Sequence, residues 1–584
     1  MTNAAKILTI LSLIVGSIAY ADWKSDYKLA PGFSLSIDTE GFQLPVAIAF
    51  VPEPGPKPED PLYFITELRG KIKVVTNDRT VHVFAEEFYP AEVEAELPDI
   101  RGEVGLAGIA LDSKNGYVFV SYCFIDGAGL YRNAISRFET TPGIFSIKPE
   151  SHRTIAPVFN HHLSQVSHQI GPMLVVEDKL FVCVGDAEVA SNSRDLDSPM
   201  GKILRFNLDG SVPDGNPHAL DDDPIKARNL IWASGLRNPF SITLAGERIY
   251  VCDNGPSTDR MVEIIRGTDY LYDGTNDSSS SNARYVWNNA VSPVQMDFDP
   301  SLAEKAGFPK QLHNSAYITL SGAPNSPSGA GKWGQKSIVA IGIDSDSGMI
   351  THTPQQIYAY DGTGSQLPVG LGWGPDGLYV VNLLPDSEGE SRILKLSYEN
   401  GDEHPKIIAP DPWTLVRQYA CVSCHQIDNI GNGHVAPQIL RAGITERLLE
   451  KLSSPAYLEQ VDEIDKLNAS PFNEYRNIRK QILESEGREK VLEWVTYRIM
   501  EPRFDQKTIA MPNQGIKYRE ARQMAEWLLA VDEYSENSAT EQIKALLPSP
   551  SHKSMLAFFA IGKIAGIVLA FVGVYFLIRK RRGK

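Results

Sequence analysis

Positive charge is in short supply: 56 Lys and Arg stand against 72 Asp and Glu, for a formal net charge of −16. That balance excludes the clustered basic surface through which proteins grip a phosphate backbone, so nucleic acid is not expected as a partner. Cysteine is scarce as well, with five in 584 residues. Two of them, Cys421 and Cys424, stand three apart. The odd remainder, Cys123, Cys183 and Cys252, each falls in an apolar, strand-like run, which suits buried thiols and leaves room for one disulfide at most. Long amphipathic helical patterns are missing from residues 22 to about 400, which excludes a helical bundle there. What is present is too long for one core, so at least two domains are expected.

Both ends of the chain read as addresses. Lys6 precedes the apolar run Ile7 to Ile18, and Ala19-Tyr20-Ala21 follows before Asp22. A charged start, a short apolar core and an A-x-A site make a signal peptide over 1–21, because the run is shorter than the roughly 20 residues needed to span a bilayer. At the other end, residues 555–578 are apolar apart from Lys563, and Arg579, Lys580, Arg581, Arg582 and Lys584 follow at once. This predicts a single transmembrane helix with a basic cytoplasmic tail over 579–584. The expected location is therefore the periplasmic face of a bacterial inner membrane, with membrane attachment through the C-terminal helix.

Residues 22–405 read as all-β. Short apolar runs alternate with Gly, Pro, Asn and Asp turns in six units, which begin near Leu44-Pro45-Val46, Val104-Gly105-Leu106, Gly171-Pro172-Met173, Arg237-Asn238-Pro239, Asn314-Ser315-Ala316 and Pro368-Val369-Gly370. The clearest internal match sets Leu180 to Asp186 against Ile249 to Asn254 and Leu378 to Asn382. About four strands per unit, repeated six times, predict a six-bladed propeller rather than a sandwich or barrel. Past residue 410 the pattern changes to helical spacing over 439–455, 472–500 and 516–533, an all-α domain placed at 410–535 and followed by a polar linker over 536–554.

The α region carries Cys421-Val422-Ser423-Cys424-His425. In C-x-x-C-H the two thiols bond covalently to haem and the adjacent His ligates its iron. A bare C-x-x-C also occurs in thioredoxin-like pairs and half zinc sites, but the immediate His and the lack of a second C-x-x-C favour haem c. Val435-Ala436-Pro437-Gln438-Ile439 and Ala510-Met511-Pro512-Asn513 follow, and with them the segment resembles class I cytochromes c. The resemblance implies haem attachment at Cys421 and Cys424, iron ligation by His425 and Met511, and electron transfer. His425 and Met511 are 86 residues apart, long for this class, so 455–490 reads as an insertion. Met500 is the competing ligand and lacks the Pro-Asn context.

In the propeller, Gly105-Leu106-Ala107-Gly108-Ile109-Ala110-Leu111, Ser167-His168-Gln169-Ile170-Gly171, Leu180 to Asp186 and Gly201-Lys202-Ile203-Leu204-Arg205 come in that order. Gly235-Leu236-Arg237-Asn238-Pro239-Phe240, Asp253-Asn254-Gly255-Pro256 and Gly374-Pro375-Asp376-Gly377 follow. Together they resemble the soluble quinoprotein glucose, aldose-sugar and sorbosone dehydrogenases, six-bladed propellers that use pyrroloquinoline quinone (PQQ) and calcium. The resemblance implies His168 as the general base, Glu103 near the quinone, Arg237 and Asn238 on the quinone oxygens, and carbonyls of Gly255 and Pro256 for Ca2+. It also implies a sugar or other alcohol or aldehyde as substrate and a respiratory electron acceptor. The chain departs from this family at Ser365-Gln366-Leu367-Pro368-Val369-Gly370, where the family places arginine, and Lys202, Lys332 and Lys336 are the cations that could stand in. A non-catalytic propeller that binds a ligand or partner and positions a cytochrome is the alternative expectation.

Overall fold

The computed structural model describes residues 23–91, 104–159, 166–288, 290–322, 336–362, 364–399, 407, 412–431, 436–509 and 511–530. It divides into two compact units, Met1–Gln438 with Thr496–Met524, and Ile439–Val495 with Ala525–Lys584.

The first unit holds six antiparallel sheets. Blade 1 comprises Pro45–Phe50, Pro61–Glu67, Lys71–Thr76 and Val81–Ala85. Blade 2 comprises Gly105–Asp112, Tyr117–Ile125, Tyr131–Glu139 and Ser151–Ile155, and blade 3 Ile170–Val176, Lys179–Val184, Lys202–Asn207 and Ile231–Ala233. Blade 4 is built from Pro239–Ala245, Arg248–Asp253, Thr258–Ile264 and Tyr285–Asn288. Blade 5 runs through Pro293–Asp297, Ser315–Leu320, Ser337–Ile343 and Ile350–Tyr360, and blade 6 through Pro368–Gly374, Gly377–Asn382 and Ile393–Tyr398. The innermost strands pack in cyclic order, blade 1 on 2 and round to blade 6 on 1, so the ring is closed.

The repeat read from the sequence is real: Leu180 to Val184, Ile249 to Asp253 and Leu378 to Asn382 all lie in second strands. Two-residue turns, Glu177-Asp178, Gly246-Glu247 and Pro375-Asp376, join them to the first strands of their blades. Neighbouring blades cover both faces of these strands, so Leu180 to Val184 is buried without alternation.

Two expectations are corrected. The fifth unit does not begin at Asn314, because Ser315–Leu320 is the second strand of blade 5 and Pro293–Asp297 precedes it. A run of alternating polar residues, Val294 to Asp297, disguises that inner strand: Gln295 bonds the Ile48 carbonyl and the Leu371 N–H, and Asp297 the Trp373 N–H. The ring is also completed by the N-terminus, since Phe33–Thr39 is the outer strand of blade 6 and Tyr27–Leu29 edges blade 5. The second correction concerns the membrane. Residues 555–578 lie outside the described residues, and among the described residues no helix is long and apolar enough to cross a membrane. The longest, Gly487–Met500, has 14 residues and carries Arg488, Glu489, Lys490, Glu493 and Arg498.

Asp297 gives the ring a pH dependence. It accepts the N–H groups of Trp373 and Phe298, each at 2.8 Å, and burial pushes its pKa up from 3.8 to about 6. A carboxyl whose pKa is raised by folding supports the fold below its unfolded value and loses that contribution as pH rises through its folded one. Wild-type stability should therefore fall from about pH 4 to about pH 6 relative to Asp297→Asn, as denaturant titrations at several pH values will test. Parallel curves for the two proteins would refute it.

In the second unit, helices Ile444–Ser453, Pro455–Asp465, Arg476–Glu484 and the start of Gly487–Met500 enclose Leu452, Tyr457, Val461, Ile464, Ile482, Val491 and Trp494. Trp494 Nε1 donates to Tyr457 Oη at 2.9 Å, and the buried Arg479 is held by Asp465 and the Phe472 carbonyl. The helical spacing read over 472–500 is broken at Gly487, whose φ of +57° suits glycine.

Candidate functional site

A buried aspartate lies at or just past the end of the second strand in blades 3 and 4: Asp186 two residues beyond Val184, and Asp253 as the last strand residue. His168, just before blade 3, has a left-handed backbone with φ +57°, an uncommon state that marks a site held by its surroundings. Its carbonyl accepts the Ala187 N–H at 2.9 Å, and its Nδ1 lies 2.6 Å from Asp186 Oδ1. Since a carboxylate only accepts, Nδ1 carries the hydrogen and Nε2 is the basic nitrogen. Gly185 is glycine because a Cβ there would lie 2.6 Å from the His168 carbonyl carbon and 2.7 Å from Asn238 Oδ1.

Asp186 N–H donates to the Arg237 carbonyl at 2.7 Å, which joins the two blades at this point. Asp253 Oδ1 accepts the N–H of Arg237 at 3.0 Å and of Asn238 at 2.8 Å, while its Oδ2 pairs with the buried Arg260 at 2.8 Å. Arg237 Nη1 donates to the Asn254 carbonyl at 2.7 Å, and Asn254 N–H to the Asn238 carbonyl at 2.9 Å. The phenol of Tyr272, raised in pKa first by burial, also bonds Arg237. His168, Arg237, Asn238 and Asn254 are thus linked through neighbouring hydrogen bonds, with Gly255 and Pro256 following Asn254 in the chain, whereas Glu103 lies outside the described residues.

Residues 42–301 match the Glucose / Sorbosone dehydrogenase family. The match runs from blade 1 into blade 5. The chain is similar to quinoprotein glucose dehydrogenase B of Acinetobacter calcoaceticus, 23% identical over 285 residues, covering 42% of this chain and 55% of that protein. It is also similar to the aldose sugar dehydrogenase YliI of Escherichia coli (strain K12), 32% identical over 106 residues, covering 18% of this chain and 28% of that one. The chain thus spans about half the length of the first relative and about a quarter of the second. Among solved structures, the PQQ-bound aldose sugar dehydrogenase of Streptomyces coelicolor aligns with a TM-score of 0.46 at 18% identity, over 63% of this chain and 99% of that one.

The residues fit the groups that glucose and sorbosone dehydrogenases imply in part. Asn254 Oδ1 is buried and has no hydrogen-bond partner among the described residues, and with the adjacent Gly255 and Pro256 it offers the oxygen donors that suit a hard cation. Among the described residues no cluster of three His, Cys, Asp or Glu could hold a metal, so carbonyl oxygens are the donors in question. Lys202 does not stand in for the missing arginine: it is fully buried and donates to the carbonyls of Asn192, Ser193 and Met200, and burial lowers its pKa to about 7. Lys336 does reach the departing segment, with Nζ 3.1 Å from the Ser365 carbonyl and 5.5 Å from the Tyr360 ring centre. Lys332 lies outside the described residues.

The C-x-x-C-H segment forms the short helix Cys421–Cys424, with both cysteines partly exposed, and no disulfide joins any of the five cysteines. His425 Nδ1 lies 2.8 Å from the Pro437 carbonyl. That contact makes Nδ1 the donor and leaves the Nε2 lone pair open, an arrangement that would suit a metal-ligating histidine. Met511 is half-buried, and two residues on Asn513 bonds Glu501 at 2.7 Å and the Gly515 N–H at 2.8 Å. Sequence reasoning gave no role to Asp186, Asp253, Arg260 or Tyr272. The available signal was the aspartate at or just past the end of two matching apolar strands, since a carboxylate at that depth needs a partner.

Proposed function

We propose that this protein is a quinoprotein-type dehydrogenase that oxidises a sugar or other alcohol or aldehyde and passes electrons to a haem c carried at Cys421 and Cys424. The observation that carries the reading is the His168–Asp186 pair beside Arg237 and Asn238, within a segment that matches the glucose and sorbosone dehydrogenases. His168 Nε2 takes the hydroxyl proton of the bound substrate, and Asp186 holds the ring in the tautomer that can accept it. When bound, PQQ would supply an electrophilic carbonyl that accepts hydride. Arg237 and Asn238 would orient and polarise it, Lys336 would meet its carboxylates, and the carbonyls of Gly255 and Pro256, with Asn254 Oδ1, would hold Ca2+. Export through the N-terminal leader fits this chemistry, because the electrons then emerge where a respiratory acceptor can collect them.

One feature favours a second reading. The run Ser365 to Gly370 has no arginine, which weakens the case for a PQQ carboxylate site and suits a propeller that only binds a ligand or partner. Reconstitution separates the two. Apo-protein mixed with PQQ and Ca2+ is expected to bind PQQ and to reduce an artificial dye with at least one member of a panel of aldoses and alcohols. Absence of PQQ binding across pH and calcium concentration would hand the propeller to the second reading.

A further inference from the structure

We propose that blade 4 is the route by which electrons leave the candidate site, and that they arrive at the haem through Cys421, seated on the outer strand of that blade. This rests on the dehydrogenase reading above. Arg237 and Asn238 open the inner strand Pro239–Ala245, and Asp253 ends the second strand opposite Pro239. Asp253 stands in register with Arg260 of the third strand, which stands in register with Val286 of the outer one. The same residues are joined by side chains: one Asp253 oxygen accepts the Arg237 and Asn238 N–H groups and the other takes Arg260 Nε and Nη2 at 3.0 and 2.8 Å. Three strand spacings of about 4.8 Å put the outer strand roughly 14 Å from the inner one.

The haem motif meets that outer strand. Helix Pro412–Gln418 packs on Tyr285–Asn288. Tyr285 is buried, and after burial the neighbouring Cys421 thiol is the group that drives its pKa upward. Tyr419, two residues before Cys421, is buried within the field of Tyr285 and donates to Glu520 at 2.7 Å. On the adjoining blade, a Cβ at Gly515 would lie 3.3 Å from the Thr351 carbonyl. The helix that leads into the motif therefore packs on the outer strand of blade 4, the blade whose inner strand opens at Arg237 and Asn238, and the loop at Gly515 lies against blade 5.

Oxidation of one hydroxyl to a carbonyl releases two electrons and two protons, of which His168 takes one proton. Iron accepts one electron on passing from Fe(III) to Fe(II), so each turnover needs two transfers, with reoxidation between them by an external one-electron acceptor such as ferricyanide or a small redox protein.

The test uses full-length protein with attached haem, loaded with PQQ and Ca2+ and mixed with a sugar that reduces the dye. Haem reduction in the wild type should be first order at a rate independent of protein concentration, a result that needs no variant. Tyr285→Ala should slow haem reduction by about tenfold or more, as small displacements of reacting partners do, while dye reduction and the haem potential stay unchanged. Tyr285→Phe, which keeps the ring, and Trp232→Ala, on the outer strand of blade 3, should each stay within about twofold of wild type, as remote or isosteric changes do. Haem reduction that scales with protein concentration, or that is unaffected in Tyr285→Ala, would overturn the route. Dye reduction with no haem reduction overturns the route alone, whereas failure of every sugar to reduce either overturns the dehydrogenase reading.

Discussion

Replacing His168 with asparagine is expected to lower turnover of the reconstituted protein by about 10²–10⁴-fold, the usual worth of a positioned general base and roughly 3–5 kcal/mol of barrier. Asparagine is the informative substitution because position 168 has a φ of +57°, which Asn tolerates better than most residues. A loss of activity then reports the missing imidazole rather than a strained backbone. Asp186→Asn should fall in the same direction. An amide at 186 can donate to Nδ1, which would place the ring hydrogen on Nε2 and leave no lone pair for the substrate proton. PQQ and Ca2+ binding should survive both changes, because the contacts assigned to PQQ lie at Arg237, Asn238 and Lys336 and those assigned to Ca2+ at Asn254, Gly255 and Pro256. Steady-state rates with PQQ affinity measured alongside decide the matter: His168→Asn within about twofold of wild type would remove the residue from the mechanism.

The second large effect is on haem. Protein made with cytochrome c maturation should retain haem through acid–acetone extraction and denaturing electrophoresis, and Cys421→Ala combined with Cys424→Ala should lose it completely under the same treatment. The His425 contact with the Pro437 carbonyl, at 2.8 Å, predicts that His425 rather than an outside ligand occupies the proximal position. Met511→Ala should keep the covalent haem but lower its potential, because a thioether stabilises the reduced iron. The same loss in Met500→Ala, with Met511→Ala silent, would exchange the two ligands. Haem that leaves the wild-type band on denaturation would end the assignment.

Much of the propeller was legible because its repeat is chemical as well as geometric. Leu180 to Val184 and Ile249 to Asp253 form the second strands of their blades, each with an aspartate at the strand end or two residues past it. Blade 5 was read from its second strand because its inner strand carries Gln295 and Asp297, whose polarity looks like a turn until Leu371, Trp373 and Ile48 are seen to satisfy it. The closing role of Phe33–Thr39 could not be read locally. An outer strand has the same composition whichever sheet it joins, and this one pairs with residues about 360 positions away.

The sequence by itself singled out the residues proposed here to carry chemistry: Cys421, Cys424 and His425 by their spacing, and His168, Arg237 and Asn238 by their order in a recognisable series. Only the tertiary structure decided how they are wired. Nothing local links Asp186 to His168, Asp253 to Arg237, or Tyr285 to Cys421, because the partners belong to different strands, blades or segments. Folding brings them together, and burial makes the two aspartate pairings necessary, since a carboxylate removed from water must find a hydrogen bond or pay several kcal/mol, of order 2–7 for an unmatched polar group.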